Sequence, residues 1–272
     1  MFTCPNCKEI LCEEDKRYVC KNGHSFDKSK EGYVNLLLSQ ASSKKRHGDD
    51  KAMVSARKRF LSGDHYAHLK DALAKKIIAF SDKKDIKLLD AGCGECYYSE
   101  GIKDQLGKCG IFADVYGIDI SKNAVAAAKK RANDFHLAVA GVNKLPFADD
   151  SLDVIISVFA PFCAEEFSRV LSHGGIAVRA IPLENHLYEL KAKIYDKPYL
   201  NEVTAFDEPP FEIIDCYDIK KTVHLPTNEV INDLFLMTPY YYKTSESDQK
   251  KLFQIQSLDV TTEFRIITYK KH

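Results

Sequence analysis

Leu88-Leu89-Asp90-Ala91-Gly92-Cys93-Gly94-Glu95-Cys96 is an apolar run that closes on an acid and opens into a glycine-rich turn. Apolar residues bounded by glycine predict a buried strand. The stretch from Tyr97 onward predicts a helix over about 97–107. Glycines between a strand and a helix let the backbone turn tightly and approach a ligand closely. A dinucleotide fingerprint, G-x-G-x-x-G, would need a third glycine at position 97. Tyr97 stands there, so that fingerprint is broken.

Working outward, short apolar runs alternate with helical stretches. Strands are expected at 86–91, 115–120, 137–140, 154–159 and 176–181, with helices near 97–107, 122–133 and 163–171. Such alternation implies a mostly parallel sheet covered by helices on both faces. Upstream, 51–62 reads as a helix, and Tyr66, Leu69, Leu73, Ile77 and Phe80 recur at helical spacing. Downstream come a helix to about 195, a mixed stretch, helices near 227–236 and 246–256, and a last strand near 259–269. The second strand ends Tyr116-Gly117-Ile118-Asp119-Ile120-Ser121. A carboxylate at that place can accept both hydroxyls of a ribose. It can also cap a helix, as can Ser121. Asn143, in Asn143-Lys144-Leu145-Pro146-Phe147, falls either near an adenine edge or in a plain loop.

The 272 residues suffice for one large domain and a small accessory one, and 45% hydrophobic with 29% charged residues suits a core-forming protein. No run of about 18 apolar residues suggests a membrane span. The start, Met1-Phe2-Thr3-Cys4, lacks the form of a secretory signal. Of nine cysteines, Cys4, Cys7, Cys12 and Cys20 crowd the first twenty residues. An odd count with no such signal favours a reducing cytoplasm and metal over disulfides. Cys4-Pro5-Asn6-Cys7 is one knuckle, and Cys20 with His24 makes a second. Four thiolate and imidazole ligands close a tetrahedron around Zn2+ and leave no open position, so Cys4, Cys7, Cys20 and His24 read as a structural site. Cys12 is a competitor for one position. The segment is too poor in apolar residues to fold unaided, and folding should couple to the metal. The expected organisation is therefore a zinc-binding, RNA-recognising module over 1–37, a basic linker and helix over 38–64, and the large domain over 65–272. Chelation is expected to disorder 1–35 and leave the sheet in place. The net charge is zero overall, yet residues 28–59 carry nine Lys/Arg against three Asp/Glu, a local +6 that forms an electrostatic footprint for phosphates.

The loop from Asp90 to Cys96 resembles that of class I methyltransferases. Such a loop cradles the methionine end of S-adenosylmethionine. The resemblance narrows along the whole chain. Phe26-Asp27, Lys30-Glu31-Gly32-Tyr33-Val34-Asn35-Leu36-Leu37, Ala56-Arg57-Lys58-Arg59-Phe60-Leu61, Gly63-Asp64-His65-Tyr66, Gly92-Cys93-Gly94-Glu95, Ala160-Pro161, His186-Leu187, Glu189-Leu190-Lys191 and Leu236-Met237-Thr238-Pro239 together resemble the bacterial 23S rRNA (guanine-N1)-methyltransferases. That family implies an α/β, Rossmann-like class I domain with a seven-stranded, mostly parallel sheet behind a zinc module. It implies a homodimer acting on guanine N1 in a 23S rRNA hairpin. Its subgroups act on neighbouring guanines, one of them tied to macrolide resistance. It places Tyr66, Gly94, Glu95 and His186 at the donor, beside Asp90, Gly92, Asp119 and Asn143 from the residue reading. Two positions depart: Cys96 stands where glycine is usual, and His173-Gly174-Gly175 where Pro-Gly-Gly is usual.

The reaction so implied is a methyl displacement by a ring nitrogen, chiefly a matter of alignment. A base taken from its stack needs aromatic walls, for which Phe159, Phe162 and Tyr240-Tyr241-Tyr242 are candidates. No residue stands out as the proton acceptor. The competing readings are a small-molecule methyltransferase with a purely structural zinc module, and a protein that binds S-adenosylmethionine or RNA without catalysis.

Overall fold

The structure, a computed structural model, describes residues 1–38 and 48–272. The chain starts with three short strands, Leu11–Glu13 (β1), Arg17–Cys20 (β2) and Ser25–Asp27 (β3), paired antiparallel. Val34–Asn35 (β4) follows. Two helices come next, Lys51–Ser62 (α1) and Ala67–Phe80 (α2). Asp50 starts α1 by accepting from the Met53 N–H at 2.9 Å. In α2 the expected stripe is buried at Leu69, Leu73 and Ile77.

The alternating core then runs Asp85–Ala91 (β5), Tyr97–Lys108 (α3), Phe112–Asp119 (β6), Lys122–Arg131 (α4), His136–Val139 (β7), Leu152–Val158 (β8), Ala164–Val170 (α5) and Leu171–Pro182 (β9). Beyond it lie Tyr188–Ile194 (α6), Glu212–Leu225 (β10), Asn228–Leu236 (α7), Glu246–Lys250 (α8) and Leu258–Lys270 (β11). The large sheet has the order β10-β11-β9-β8-β5-β6-β7-β4. β5 through β9 pair in parallel, and β11 alone runs antiparallel, to both β9 and β10. Strand order reverses between β5 and β8, which places a binding crevice at the carboxyl ends of those strands.

The six strands read from the sequence are all present, β10 completes the seven that the resemblance implies, and the N-terminal module adds an eighth. Val34 and Asn35 pair in parallel with Ala138 and Val139. The mixed stretch contains β10, and the helix expected at 246–256 is α8 followed by a separate short turn of tighter helix at Lys251–Gln254.

β5 shows how the core divides. Successive strand residues face opposite ways, so Leu88 joins the cluster under α2 and α3, whereas Leu89 joins the cluster on the other face. That second cluster also holds Phe2, Leu11, Tyr18, Val34 and Leu36 of the N-terminal module. Phe2 packs edge-on to Tyr116 at 5.6 Å and against Phe147 at 5.4 Å. The Thr3 N–H donates to the Pro146 carbonyl at 2.8 Å. The module and the sheet thus share one core.

Candidate donor and metal sites

The metal site is built by two turns. The Lys8 N–H returns to the Cys4 carbonyl at 2.8 Å, and the Gly23 N–H to that of Cys20 at 2.9 Å. Their ligand atoms converge: Cys4 Sγ lies 3.6 Å from His24 Nδ1, Cys7 Sγ 3.6 Å from Cys20 Sγ, and Cys20 Sγ 3.4 Å from His24 Nδ1. A tetrahedron with ordinary Zn–S and Zn–N bonds has edges of about 3.5–3.8 Å, so the four fit the ion. Backbone N–H donation from Glu9 brings the Cys7 thiol down to about 6, toward the thiolate a metal needs. Cys12 is exposed, opposite Val19 in the β1–β2 pair, and is not in the cluster.

The donor loop leaves β5 at Gly92, which has φ +88°. A Cβ there would stand 2.5 Å from that of Ala160, so only glycine lets the loop close against the end of β8. The usual glycine at position 96 has a physical explanation. Cys96 has φ +64° and begins α3 in the left-handed region, the conformation that favours glycine. Its side chain is wholly buried.

Asp119, at the end of β6, ties the loop down. One carboxylate oxygen accepts from the Gly94 N–H at 3.0 Å and the other from the Ser121 N–H at 2.7 Å. Asp90 and Glu95 are buried near it. Glu95 Oε1 meets Arg131 at 3.2 Å, and its Oε2 is buried without a partner. Burial raises all three carboxyls. Asp90 reaches about 7, with the charge of Asp119 adding to burial and a Ser99 hydrogen bond opposing it.

Beside the loop stands an aromatic group assembled from distant parts of the chain. Tyr66 OH lies 3.5 Å from His186 Nε2. Phe264 of β11 packs against both, at 5.3 and 4.6 Å between centroids. The Glu263 N–H donates to His186 Nδ1 at 3.3 Å, so in the neutral ring the proton sits on Nε2. Burial, helped by Lys191 and His68, pushes His186 down to about 3, so it is no base at neutral pH. Phe159 follows β8 with φ +56° and leaves 44% of its surface exposed, one side against Phe264 at 5.3 Å. A left-handed phenylalanine at a strand end is strained backbone of the kind that gathers at functional sites.

The other proposed walls separate. Phe162 packs on Phe167, Phe211 and Tyr269 in the opposite core and is a packing residue. Tyr240 donates to Asn201 at 2.8 Å, Tyr241 packs on Phe235, and Tyr242 reaches Asp50 at 3.2 Å. Asn143 is exposed, and its amide oxygen accepts from Cys163 Sγ at 2.8 Å, apart from the buried set. Of the basic arm, Lys44, Lys45 and Arg46 lie outside the described residues; Lys28 pairs with Glu13, Arg57 with Asp49, and Arg59 with Asp233. The sequence reading passed over Arg131, which joins Glu95, Glu100 and Ser62 on three elements, and Phe264, whose motif-free strand carries no signal of its place.

Comparison with known proteins matches the chain in two stretches. Residues 2–45 match the zinc-ribbon family described as "RlmA, N-terminal", and 82–254 match "Methyltransferase domain". The Bacillus subtilis protein YxjB, described as a 23S rRNA (guanine-N(1)-)-methyltransferase, is 30% identical over 98% of this chain and 96% of its own. The 23S rRNA (guanine(748)-N(1))-methyltransferase of Streptomyces fradiae is 34% identical over 69% of this chain and 65% of its own. Among solved structures, YcgJ of Bacillus subtilis superposes with a TM-score of 0.51 at 15% identity, over 74% of this chain and 98% of its own.

Proposed function

Because the chain belongs to the 23S rRNA (guanine-N1)-methyltransferase family, we propose that it methylates N1 of a guanine in 23S rRNA, with S-adenosylmethionine as donor. The observation that carries this reading is one chain holding both the four-ligand zinc module and the Asp119-pinned glycine loop. The family also supplies the expectations of a hairpin target, a homodimer and a cytoplasmic setting. Among the described residues no helix is long and apolar enough to cross a membrane.

The residues fit the donor. The space over Gly94 is open to 4.0 Å, Glu95 Oε2 is an unmet acceptor, and Asp119 ends its strand where a ribose diol is held. S-adenosylmethionine supplies a methyl already activated on a sulfonium. What remains for the chain is alignment and exclusion of water. Asp119 would fix the ribose, Glu95 the ammonium, and Gly92 and Gly94 the close backbone approach. Tyr66, His186 and Phe264 form a dry aromatic wall. Phe159, half open beside them, is the platform on which an unstacked guanine would lie.

Two outcomes test this. Incubation with 23S rRNA from cells lacking the gene, mapped by mass spectrometry, should place one methyl on guanine N1. Labelling confined to small acceptors would overturn the reading. Phe159→Ala should lower kcat on rRNA about 10- to 100-fold, the usual worth of a base–aromatic stack. Its affinity for S-adenosylhomocysteine should stay within about twofold, and an unchanged kcat would remove the platform role.

The buried acids set a pH dependence. A cationic donor favours ionised Asp90, so its pKa falls on binding and a proton is released. Donor affinity should rise as pH climbs to about 7 and level off above it. Calorimetry at pH 6.5 in buffers of different ionisation enthalpy reads the released proton directly. No release at that pH would contradict the arrangement.

A further inference from the structure

Helix α1 carries Arg57-Lys58-Arg59, which the sequence presents as part of a phosphate-binding arm. The structure separates the three. Lys58 is exposed, and Arg59 is engaged by Asp233 of α7. Arg57 is partly buried and turned toward the donor loop. A Cβ built on Gly94 would meet nothing nearer than Arg57 Nη1, 4.0 Å away. The guanidinium therefore closes the far side of the open space above the glycine. Its charge acts on Glu95 and on Asp119, in each case opposing the rise that burial imposes.

Two contacts fix its orientation. Asp49 pairs with Nη1, and the Met237 carbonyl accepts from Nη2 at 3.4 Å. Asp49 is itself anchored, since its carbonyl accepts from Ser121 Oγ at 2.7 Å. A guanidinium has five donors in a planar fork suited to carboxylates. Glu95, whose carboxyl feels the Arg57 charge, keeps Oε2 buried without a partner. A guanidinium and an unmet carboxylate oxygen within one residue of the same glycine loop suit the two ends of an α-amino acid zwitterion, carboxylate to the first and ammonium to the second.

We propose that Arg57 binds the carboxylate of the donor's methionine moiety, with the Asp49 carboxylate holding the guanidinium in place until the donor arrives. The assignment rests on the donor site proposed above. It takes Arg57 out of the RNA-binding arm and makes α1 part of the donor pocket.

The test is calorimetry of the full-length, zinc-loaded protein with two probes: S-adenosylhomocysteine and its decarboxylated analogue, which keeps the amine and lacks the carboxylate. Arg57→Gln should weaken S-adenosylhomocysteine about 10- to 100-fold, the loss expected of a charge-assisted hydrogen-bonded pair. The decarboxylated analogue should bind both proteins within about twofold. Arg57→Lys, which keeps the charge and loses the fork, should recover part of the difference, and it carries the same comparison if the glutamine variant does not fold. Equal weakening of both probes, or of neither, overturns the role of Arg57 while leaving the donor site standing. Failure of the unaltered protein to bind either probe overturns the site and the assignment together.

Discussion

Asp119→Ala should lose at least about 100-fold in affinity for S-adenosylhomocysteine. Two hydrogen bonds from ribose hydroxyls to a carboxylate are each worth about 1.5–3 kcal/mol, and a loss of about 3 kcal/mol is already more than 100-fold. The structure adds a second reason. Asp119 also accepts from the Gly94 and Ser121 backbone N–H groups, so alanine unties the loop as it removes the ribose acceptor. Asp119→Asn retains one acceptor oxygen and should fall between the two. Zinc content should be unaffected, because the four ligands lie in the β1–β3 module. Calorimetry that found alanine and aspartate equal would remove Asp119 from the donor site.

Withdrawing zinc should reach well beyond the ligands. From the sequence, chelation would disorder 1–35 alone. The shared core changes that expectation, because Phe2, Tyr18 and Val34 pack in the same cluster as Tyr116, Ala138 and Phe147. Loss of a buried phenylalanine alone costs about 3–5 kcal/mol. In a chain of this size that lowers the unfolding midpoint by roughly 10 °C. Hydrogen exchange on chelated protein should show lost protection at 136–139 and around Phe147 as well as in the module. Loss confined to the first 36 residues would mean that the two parts are energetically separate.

The donor loop was readable because strand, glycine turn and helix stand together in one short stretch. Gly92 answers to its own φ of +88°, and Asp119 is marked by the strand end it closes, although the loop residue it holds, Gly94, is distant in sequence. The zinc ligands were readable for the same reason. Cys96 looked like a defect in the pattern, because a sequence does not display φ; the left-handed start of α3 explains the usual glycine. β10 was missed because Asp215, Asp218, Lys220 and Lys221 interrupt its apolar residues, as suits a largely exposed outermost strand. Phe159 and Phe162 looked alike in sequence, and only the long-range packing of β11 separates a half-open ring from a core one. Arg57 was hidden inside a basic triplet whose members face different neighbours.

The two-residue strand β4 has a consequence out of proportion to its length. A sheet ends in a row of unpaired N–H and C=O groups, a template on which another chain can add its own strand. At one end of this sheet, β10 carries charged residues that discourage such pairing. At the other, β7 reads His-Leu-Ala-Val and has no acid or lysine to do so. Val34, Asn35 and the Leu36 N–H, which donates to the Val139 carbonyl at 2.9 Å, cover it. An ion held by Cys4, Cys7, Cys20 and His24 would thereby guard against self-association through this edge. Chelated protein should form β-rich aggregates at concentrations where the zinc-loaded chain stays in solution.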